Sequence, residues 1–341
     1  MSIQAEATIE ATTENATFVR SEAAAFATVS RTGYFGDGVT DSNSTGNPRI
    51  VLGEKYGQTP HAASLGSLGL SSEAVADQLQ GCAGRYAGKT VIVTGGGRGI
   101  GEGCIRVFFE ASANVVIADR DEATGTALAA ELNARGAPNA ALFVATDVSV
   151  VAQLQRLVDQ AIARFGRLDC VVNNAGWHPP HKPIDDFSVD DMQDLMQLNF
   201  VSVFALCKFA LPHLRKQRGN LINMSSLVGV FGQSKATSYA ATKGAITAFT
   251  KALAIDEAAH GVRVNAVSPG NIWTPLWKAG ADADADPTAA REAGQRVQVM
   301  GRMGTVLEAG RLCLCIAADL TFTTGVDHVI SGGAEIGYGM K

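Results

Sequence analysis

Three observations predict a single doubly wound α/β domain built on a seven-stranded parallel sheet. From Arg85 onward, short β-branched apolar runs alternate with longer stretches whose apolar residues fall at helical spacing. The first of these runs leads into a glycine-rich turn, Thr94-Gly95-Gly96-Gly97-Arg98-Gly99-Ile100-Gly101, which opens a helical stretch. Residues 85–341 also have the length that such a domain reaches in one piece.

In chain order the candidate strands are 91–94, 114–118, 141–145, 168–173, 220–224, 262–268 and 327–331. Each is short, apolar and β-branched, and the stretches between them carry patterns such as Leu154-Leu157-Val158-Ala161-Ile162, which places one apolar face on a helix. Strands that alternate with helices form crossover units, and these give a parallel sheet covered on both faces.

Residues 1–84 differ in composition from the rest. They are rich in Ala, Ser, Thr, Gly and Glu, and the run from Gly36 to Pro48 has the turn-forming residues of loop or disorder. Weak helices are expected near Ile9–Phe26 and Ser71–Leu79, and the segment as a whole reads as a disordered extension.

Charge and cysteine use narrow the function classes. The chain has 46% hydrophobic and 18% charged residues and a net charge of −5. That negative charge falls within residues 1–84, so the body is neutral and offers no electrostatic footprint for nucleic acid or an anionic membrane. Six cysteines, Cys82, Cys104, Cys170, Cys207, Cys313 and Cys315, form no CxxC or Cys/His cluster, so no metal site is expected and they read as small buried groups in a reducing compartment. No run approaches a membrane span, and the N-terminus has neither a signal core nor an acid-poor transit pattern; a cytoplasmic protein is expected.

The glycine turn is suited to a dinucleotide. Gly95, Gly99 and Gly101 allow a tight turn and close backbone approach to a pyrophosphate, with Arg98 and Ile100 between them and a helix N-terminus behind. Asp119 ends the second strand, where a carboxylate accepts hydrogen bonds from an adenosine ribose and repels a 2′-phosphate. Arg98 and Arg120 could instead grip that phosphate, but the carboxylate is the stronger veto, and NAD is the expected cofactor. Asp147-Val148 follows the third strand at the adenine position, although Asp147 also reads as a helix cap. Asn174, within Asn173-Asn174-Ala175-Gly176, ends the fourth strand at the sheet's carboxyl edge.

The chemistry points to Tyr239 and Lys243, which share a helical face at i and i+4. A phenol titrates near 10 unperturbed, too high for a base at neutral pH, so a nearby ammonium together with a cationic nicotinamide is expected to lower it. Lys243 can also hold the nicotinamide ribose. Ser226 follows the fifth strand and can align a substrate oxygen with Tyr239, Ser225 being the rival for that role. Asn199, in an apolar helical stretch, either bends its helix, bridges Lys243 to water, or is simply a core amide. His178, before Pro179-Pro180, reads either as a rigid polar pocket group or as a loop residue; Trp273 and Trp277 flank Thr274 in a lid, as packing or as substrate contacts.

Taken together, the order TGxxxGxG, NNAG, Asn, Ser, YxxxK and Pro269-Gly270 resembles the short-chain dehydrogenase/reductase family over residues 85–341. The resemblance implies a Rossmann domain, a homotetramer, a catalytic set of Asn199, Ser226, Tyr239 and Lys243, and a lid in which Ile272 and Thr274 hold the nicotinamide carboxamide and phosphate beside Pro269-Gly270. The segments Arg85–Lys89, Asn173–Pro180, Ser225–Gly229, Pro269–Trp277 and Gly332–Gly339 further resemble family members that oxidise 17β-hydroxysteroids and L-fucose. That implies NAD-dependent oxidation of a secondary hydroxyl on a small-molecule alcohol, with His178, Gln233 and Trp277 lining the substrate pocket and Tyr338 reaching a neighbouring subunit's site. Trp177 stands where that subgroup usually has a histidine, and residues 1–84 have no counterpart in it. The alternatives are an NADPH-dependent carbonyl or 3-oxoacyl reductase and a non-catalytic dinucleotide-binding sensor.

Overall fold

The computed structural model describes residues 65–336. Its elements run α1 (Ser72–Leu79), β1 (Thr90–Thr94), α2 (Gly99–Glu110), β2 (Asn114–Asp119), α3 (Glu122–Asn133), β3 (Ala141–Ala145), α4 (Val151–Phe165) and β4 (Cys170–Asn173). They continue with α5 (Val189–Met196), α6 (Ser202–Gln217), β5 (Asn220–Met224), α7 (Val228–Phe231), α8 (Thr237–Glu257), β6 (Arg263–Pro269), α9 (Pro275–Asp282), α10 (Pro287–Arg296), α11 (Val306–Ala318) and β7 (Asp327–Ile330). All seven expected strands form, with ends shifted by a residue or two.

The strands pair in parallel in the order β3-β2-β1-β4-β5-β6-β7. Chain progression reverses between β1 and β4, and in such sheets ligands bind in the crevice beyond the carboxyl ends at that switch point. Two apolar layers fill the two faces: one centres on α2 and α11, the other on α4, α6 and α8. Central strands are buried on both sides, which is why β1 and β4 are mostly apolar, while β5 buries Asn220 and Asn223 with hydrogen-bond partners.

Small residues set the tightest packing. A Cβ on Gly103 of α2 would collide with the Val306 carbonyl of α11, and one on Gly310 would lie 2.6 Å from the Gly103 oxygen. The two helices therefore touch backbone to backbone. At this contact Cys313 hydrogen-bonds Cys104, not its neighbour Cys315.

Two expectations are corrected. Residues 65–84, which composition assigns to a loose extension, belong to the core as far as they are described: Leu65, Leu68 and Cys82 are buried, and Leu70, Val75 and Leu79 pack beside them. Ser71 caps α1 by accepting from the Ala74 amide. Gln78 then ties the segment down, its Oε1 accepting from Thr305 Oγ1 (2.6 Å) and its carbonyl from Arg311 (2.6 Å). A few leucines at helical spacing outweigh the polar average of the surrounding residues. The expected Ile9–Phe26 helix lies outside the described residues.

The second correction concerns Val189–Gln217. This helical run, mean hydropathy 1.5, is long and apolar enough by length and composition to cross a membrane, contrary to the expectation that no run comes close. Half of it is buried against the domain, the pattern of a core helix.

Candidate active site

The cofactor end begins where β1 stops. Gly95 and Gly99 have φ of +61° and +58°, and a Cβ on Gly101 would run into the Gly95 carbonyl, so the turn closes on itself only with glycine. Arg98 is the N-cap residue of α2 in extended conformation, and Ile100 packs on the first apolar layer. Thr94 joins this turn to the β4 loop: its Oγ1 accepts from the amides of Asn174 and Ala175 (both 3.0 Å), while Asn174 Nδ2 donates to Thr94 O (2.8 Å) and Gly95 O (3.2 Å). Asn174 thus clamps the two halves of the switch point.

Asp119 is 6% exposed, and its carboxylate is aimed back at the turn. Oδ2 accepts from the Gly97 amide (3.0 Å) and Oδ1 from the Asp121 amide (3.1 Å). Asp147 Oδ1 accepts from the Ser149 amide (2.9 Å) and hydroxyl (2.6 Å), an Asx turn rather than the helix cap that its sequence position suggests, since α4 starts after Val150 without a side-chain cap; Val148 is buried beside it. On the far side, Pro269 ends β6, and Gly270 sits where a Cβ would press on Ser331 at 3.0 Å. Ile272 is buried and bridges Gly304. Thr274 caps α9 by accepting from the Trp277 amide (3.2 Å), and its side chain faces Gly99, whose Cβ would lie 3.8 Å from it. The structure therefore brings the lid residue Thr274 to the glycine turn.

The chemical end gathers at the carboxyl ends of β4 and β5. Ser225 is committed elsewhere, its hydroxyl donating to Lys243 O (2.9 Å) and sharing a bond with Thr247 (3.0 Å). Ser226 hydrogen-bonds the Tyr239 hydroxyl and accepts from the Val228 amide (3.3 Å). Of the two serines, Ser226 is the one whose hydroxyl meets Tyr239. Lys243 is buried; its Nζ donates to Met224 O (2.8 Å) and lies 5.7 Å from the centre of the Tyr239 ring.

Electrostatics depart from expectation at this pair. Burial pushes the Tyr239 phenol up to about 12, against the opposing pull of the Ser226 hydrogen bond, and burial lowers Lys243 to about 8. The chain's own lysine does not pull the phenol below its ordinary value, because its Nζ is turned to the Met224 carbonyl and desolvation dominates both groups. Any lowering has to come from charge carried in by a ligand.

Asn199 is fully buried inside a π-helical turn, Gln197–Val201, that links α5 to α6. Its Oδ1 accepts from the Trp177 amide and its Nδ2 donates to Trp177 O, both 2.9 Å. The amide thus bends its helix and clamps the loop after β4. That loop presents His178, whose ring centre is 4.2 Å from that of Tyr239 and whose Nε2 is 3.3 Å from Gln233 Oε1; Nδ1 meets Pro179 O at 2.6 Å. Burial lowers the His178 pKa, so its ring is neutral at pH 7. His178 and Gln233 therefore meet beside Tyr239.

Trp277 does not join them by any hydrogen bond or ring contact among the described residues. Its indole lies against Trp273 (6.2 Å between ring centres), and a Cβ on Gly294 would strike both Trp277 and Met303. These contacts pack the lid. Tyr338 lies outside the described residues. Sequence reasoning missed Thr94, Gln153, which accepts from the Asp147 amide (2.8 Å), His181, whose ring packs edge-on to His178 at 5.1 Å, and Thr242. Thr94 and Thr242 had a signal, the first opening TGxxxGxG and the second standing inside the YxxxK interval.

Residues 89–285 match the family described as short chain dehydrogenase. The chain is 52% identical over 257 residues to an L-fucose dehydrogenase of Bos taurus, covering 75% of this chain and 93% of that protein. It is 51% identical to an L-fucose dehydrogenase of Mus musculus, covering 75% and 92%. Among solved structures it resembles the Cj0485 dehydrogenase, with a TM-score of 0.68 and 26% identity over 75% of this chain and 96% of that one.

Proposed function

The chain belongs to the short chain dehydrogenase family and is an alcohol dehydrogenase that uses a nicotinamide cofactor; we propose that the cofactor is NAD and that the substrate is a sugar, L-fucose or a close aldose, oxidised at a secondary hydroxyl. The observation that carries the chemistry is the Ser226–Tyr239 hydrogen bond with Lys243 buried beneath it. A non-catalytic dinucleotide sensor has no use for that arrangement.

The residues present fit NAD. Gly95, Arg98, Gly99, Ile100 and Gly101 would hold the pyrophosphate, and the inward-turned Asp119 carboxylate would take the adenosine ribose hydroxyls. Asp147 and Val148 would border the adenine, and Asn174 the central crevice. Pro269, Gly270, Ile272 and Thr274 would enclose the nicotinamide end, whose ribose falls to Tyr239 and Lys243. When bound, NAD supplies the hydride acceptor and a positive ring.

Tyr239 takes the proton of the substrate hydroxyl as general base. Its phenol is too weakly acidic by itself, so the positive ring of a bound NAD is what would favour phenolate during reaction. Ser226 holds the substrate oxygen in line with Tyr239. Asn199 fixes the loop that carries His178, and neutral His178 with Gln233 offers hydrogen bonds to the substrate's other hydroxyls.

The L-fucose dehydrogenases at about half identity support the sugar. A homotetramer in the cytosol is proposed with it; the apolar groove of Phe204, Leu211, Phe249 and Leu253 between α6 and α8 is a surface suited to a second subunit. Light scattering should then give four chain masses. The substrate test is an NADH-formation screen with L-fucose, other aldoses and estradiol, run in parallel with NADP. Turnover on estradiol alone, or with NADP alone, would reject this reading.

A further inference from the structure

We infer that Thr242 is a positioning residue that couples the catalytic helix α8 to the His178 loop, an inference that rests on the dehydrogenase reading of this site. Thr242 lies between Tyr239 and Lys243 in sequence, is fully buried, and has one hydroxyl proton to give. That proton goes to the Tyr239 carbonyl (2.8 Å), one turn back on the same helix. The oxygen's lone pairs are then left to accept, and the donor that meets them is Asn199 Nδ2 at 3.2 Å.

The consequence runs on through Asn199. Its amide has two N–H groups and one carbonyl, and all three are placed: one N–H on Thr242, the other on Trp177 O, and Oδ1 under the Trp177 amide. A relay of four hydrogen bonds therefore joins the Tyr239 backbone to the peptide preceding His178. Because Thr242 and Asn199 are sealed from water, no solvent molecule replaces a missing partner, and loss of the Thr242 hydroxyl leaves a buried N–H unsatisfied. The neighbourhood is also crowded. A Cβ on Gly176 would lie 3.3 Å from Asn199 Oδ1 and 3.4 Å from Lys243 Nζ, so both groups border the same glycine. Thr242 touches no substrate in this account; it fixes the distance between Tyr239 and the loop that faces it.

Thr242→Val and Thr242→Ser in the full-length enzyme test this. Thr242→Val removes the hydroxyl at constant shape and should lower kcat by about 10- to 100-fold, the penalty of sub-ångström misplacement, with NAD affinity close to wild type and a melting temperature lowered by only a few degrees, the effect of one buried N–H left unpaired. Thr242→Ser restores the hydroxyl and should restore kcat. A readout independent of turnover is hydrogen exchange at the Trp177 amide by mass spectrometry, expected to be faster in Thr242→Val and normal in Thr242→Ser. This exchange reports the relay even if the substrate proves not to be a sugar. Unchanged kcat and unchanged Trp177 exchange in Thr242→Val would overturn the inference. So would a collective loss of NAD binding and fold in Thr242→Val, which marks a merely structural role.

Discussion

Replacing Asp119 with Asn tests the cofactor assignment at one atom pair. The carboxylate is 6% exposed and is held by the amides of Gly97 and Asp121, so its charge points at the turn with little screening. Two unit charges about 4 Å apart repel by about 1 kcal/mol in water and about 4 kcal/mol at the effective dielectric of a protein surface. A ribose 2′-phosphate carries between one and two charges, so about 2 to 4 kcal/mol of discrimination is expected after partial screening. Asp119→Asn keeps a carbonyl for one backbone amide and removes the charge. The ratio of kcat/KM with NAD to that with NADP should therefore fall by roughly 30-fold or more, since each 1.4 kcal/mol is a factor of ten. The change should come mainly from improved use of NADP, with Arg98 and Arg120 free to meet its phosphate. Steady-state kinetics with both cofactors at fixed substrate and several salt concentrations measures it. A ratio unchanged by the substitution would refute the argument, because no other carboxylate hydrogen-bonds this turn among the described residues.

The pH behaviour of Lys243 gives a second prediction. Its pKa is lowered to about 8 on folding, so the unfolded chain binds more protons between pH 8 and 10.5, and this group's contribution to stability rises with pH across that window and is lost as pH falls through 8. Relative to Lys243→Met, the wild-type chain should gain melting temperature from pH 8 to 10.5; parallel melting curves would contradict the assignment. Tyr239, raised to about 12, acts in the opposite sense, its contribution falling above pH 10. The docked N-terminal segment gives a third: Leu68 is 6% exposed, and Leu68→Ala should cost about 2–4 kcal/mol in urea unfolding, whereas a loose extension would show none.

Much of the fold was legible because parallel strands buried on both faces must be mostly apolar, as β1 and β4 are, whereas β5 also buries Asn220 and Asn223. The site was legible where one residue type has one use: glycine at 95 and 99, whose positive φ nothing else adopts cheaply, and Tyr239 with Lys243 on one helical face. The choice between Ser225 and Ser226 was not, since it depends on which hydroxyl Lys243 O and Thr247 claim first. Nor was the π-helical turn at Gln197–Val201, which exists because Asn199 spends its amide on a distant backbone. Composition misled at residues 65–84, where the average over a polar stretch hid the spacing of Leu65, Leu68 and Leu79. Trp277 stays open between two roles in the sequence because a tryptophan beside a lid fits packing as readily as a ligand-facing place.

The central claim is that Tyr239 takes a proton from a sugar hydroxyl while hydride passes to NAD. The direct measurement is NADH formation from NAD and L-fucose by wild type and Tyr239→Phe, with NAD binding to each followed by fluorescence. Turnover is predicted in the wild type, a loss of about 100-fold or more in the variant, and an NAD affinity weakened by no more than about 10-fold, the loss of one ribose hydrogen bond. Full turnover by Tyr239→Phe, or no NADH from any aldose with the wild type, would contradict it.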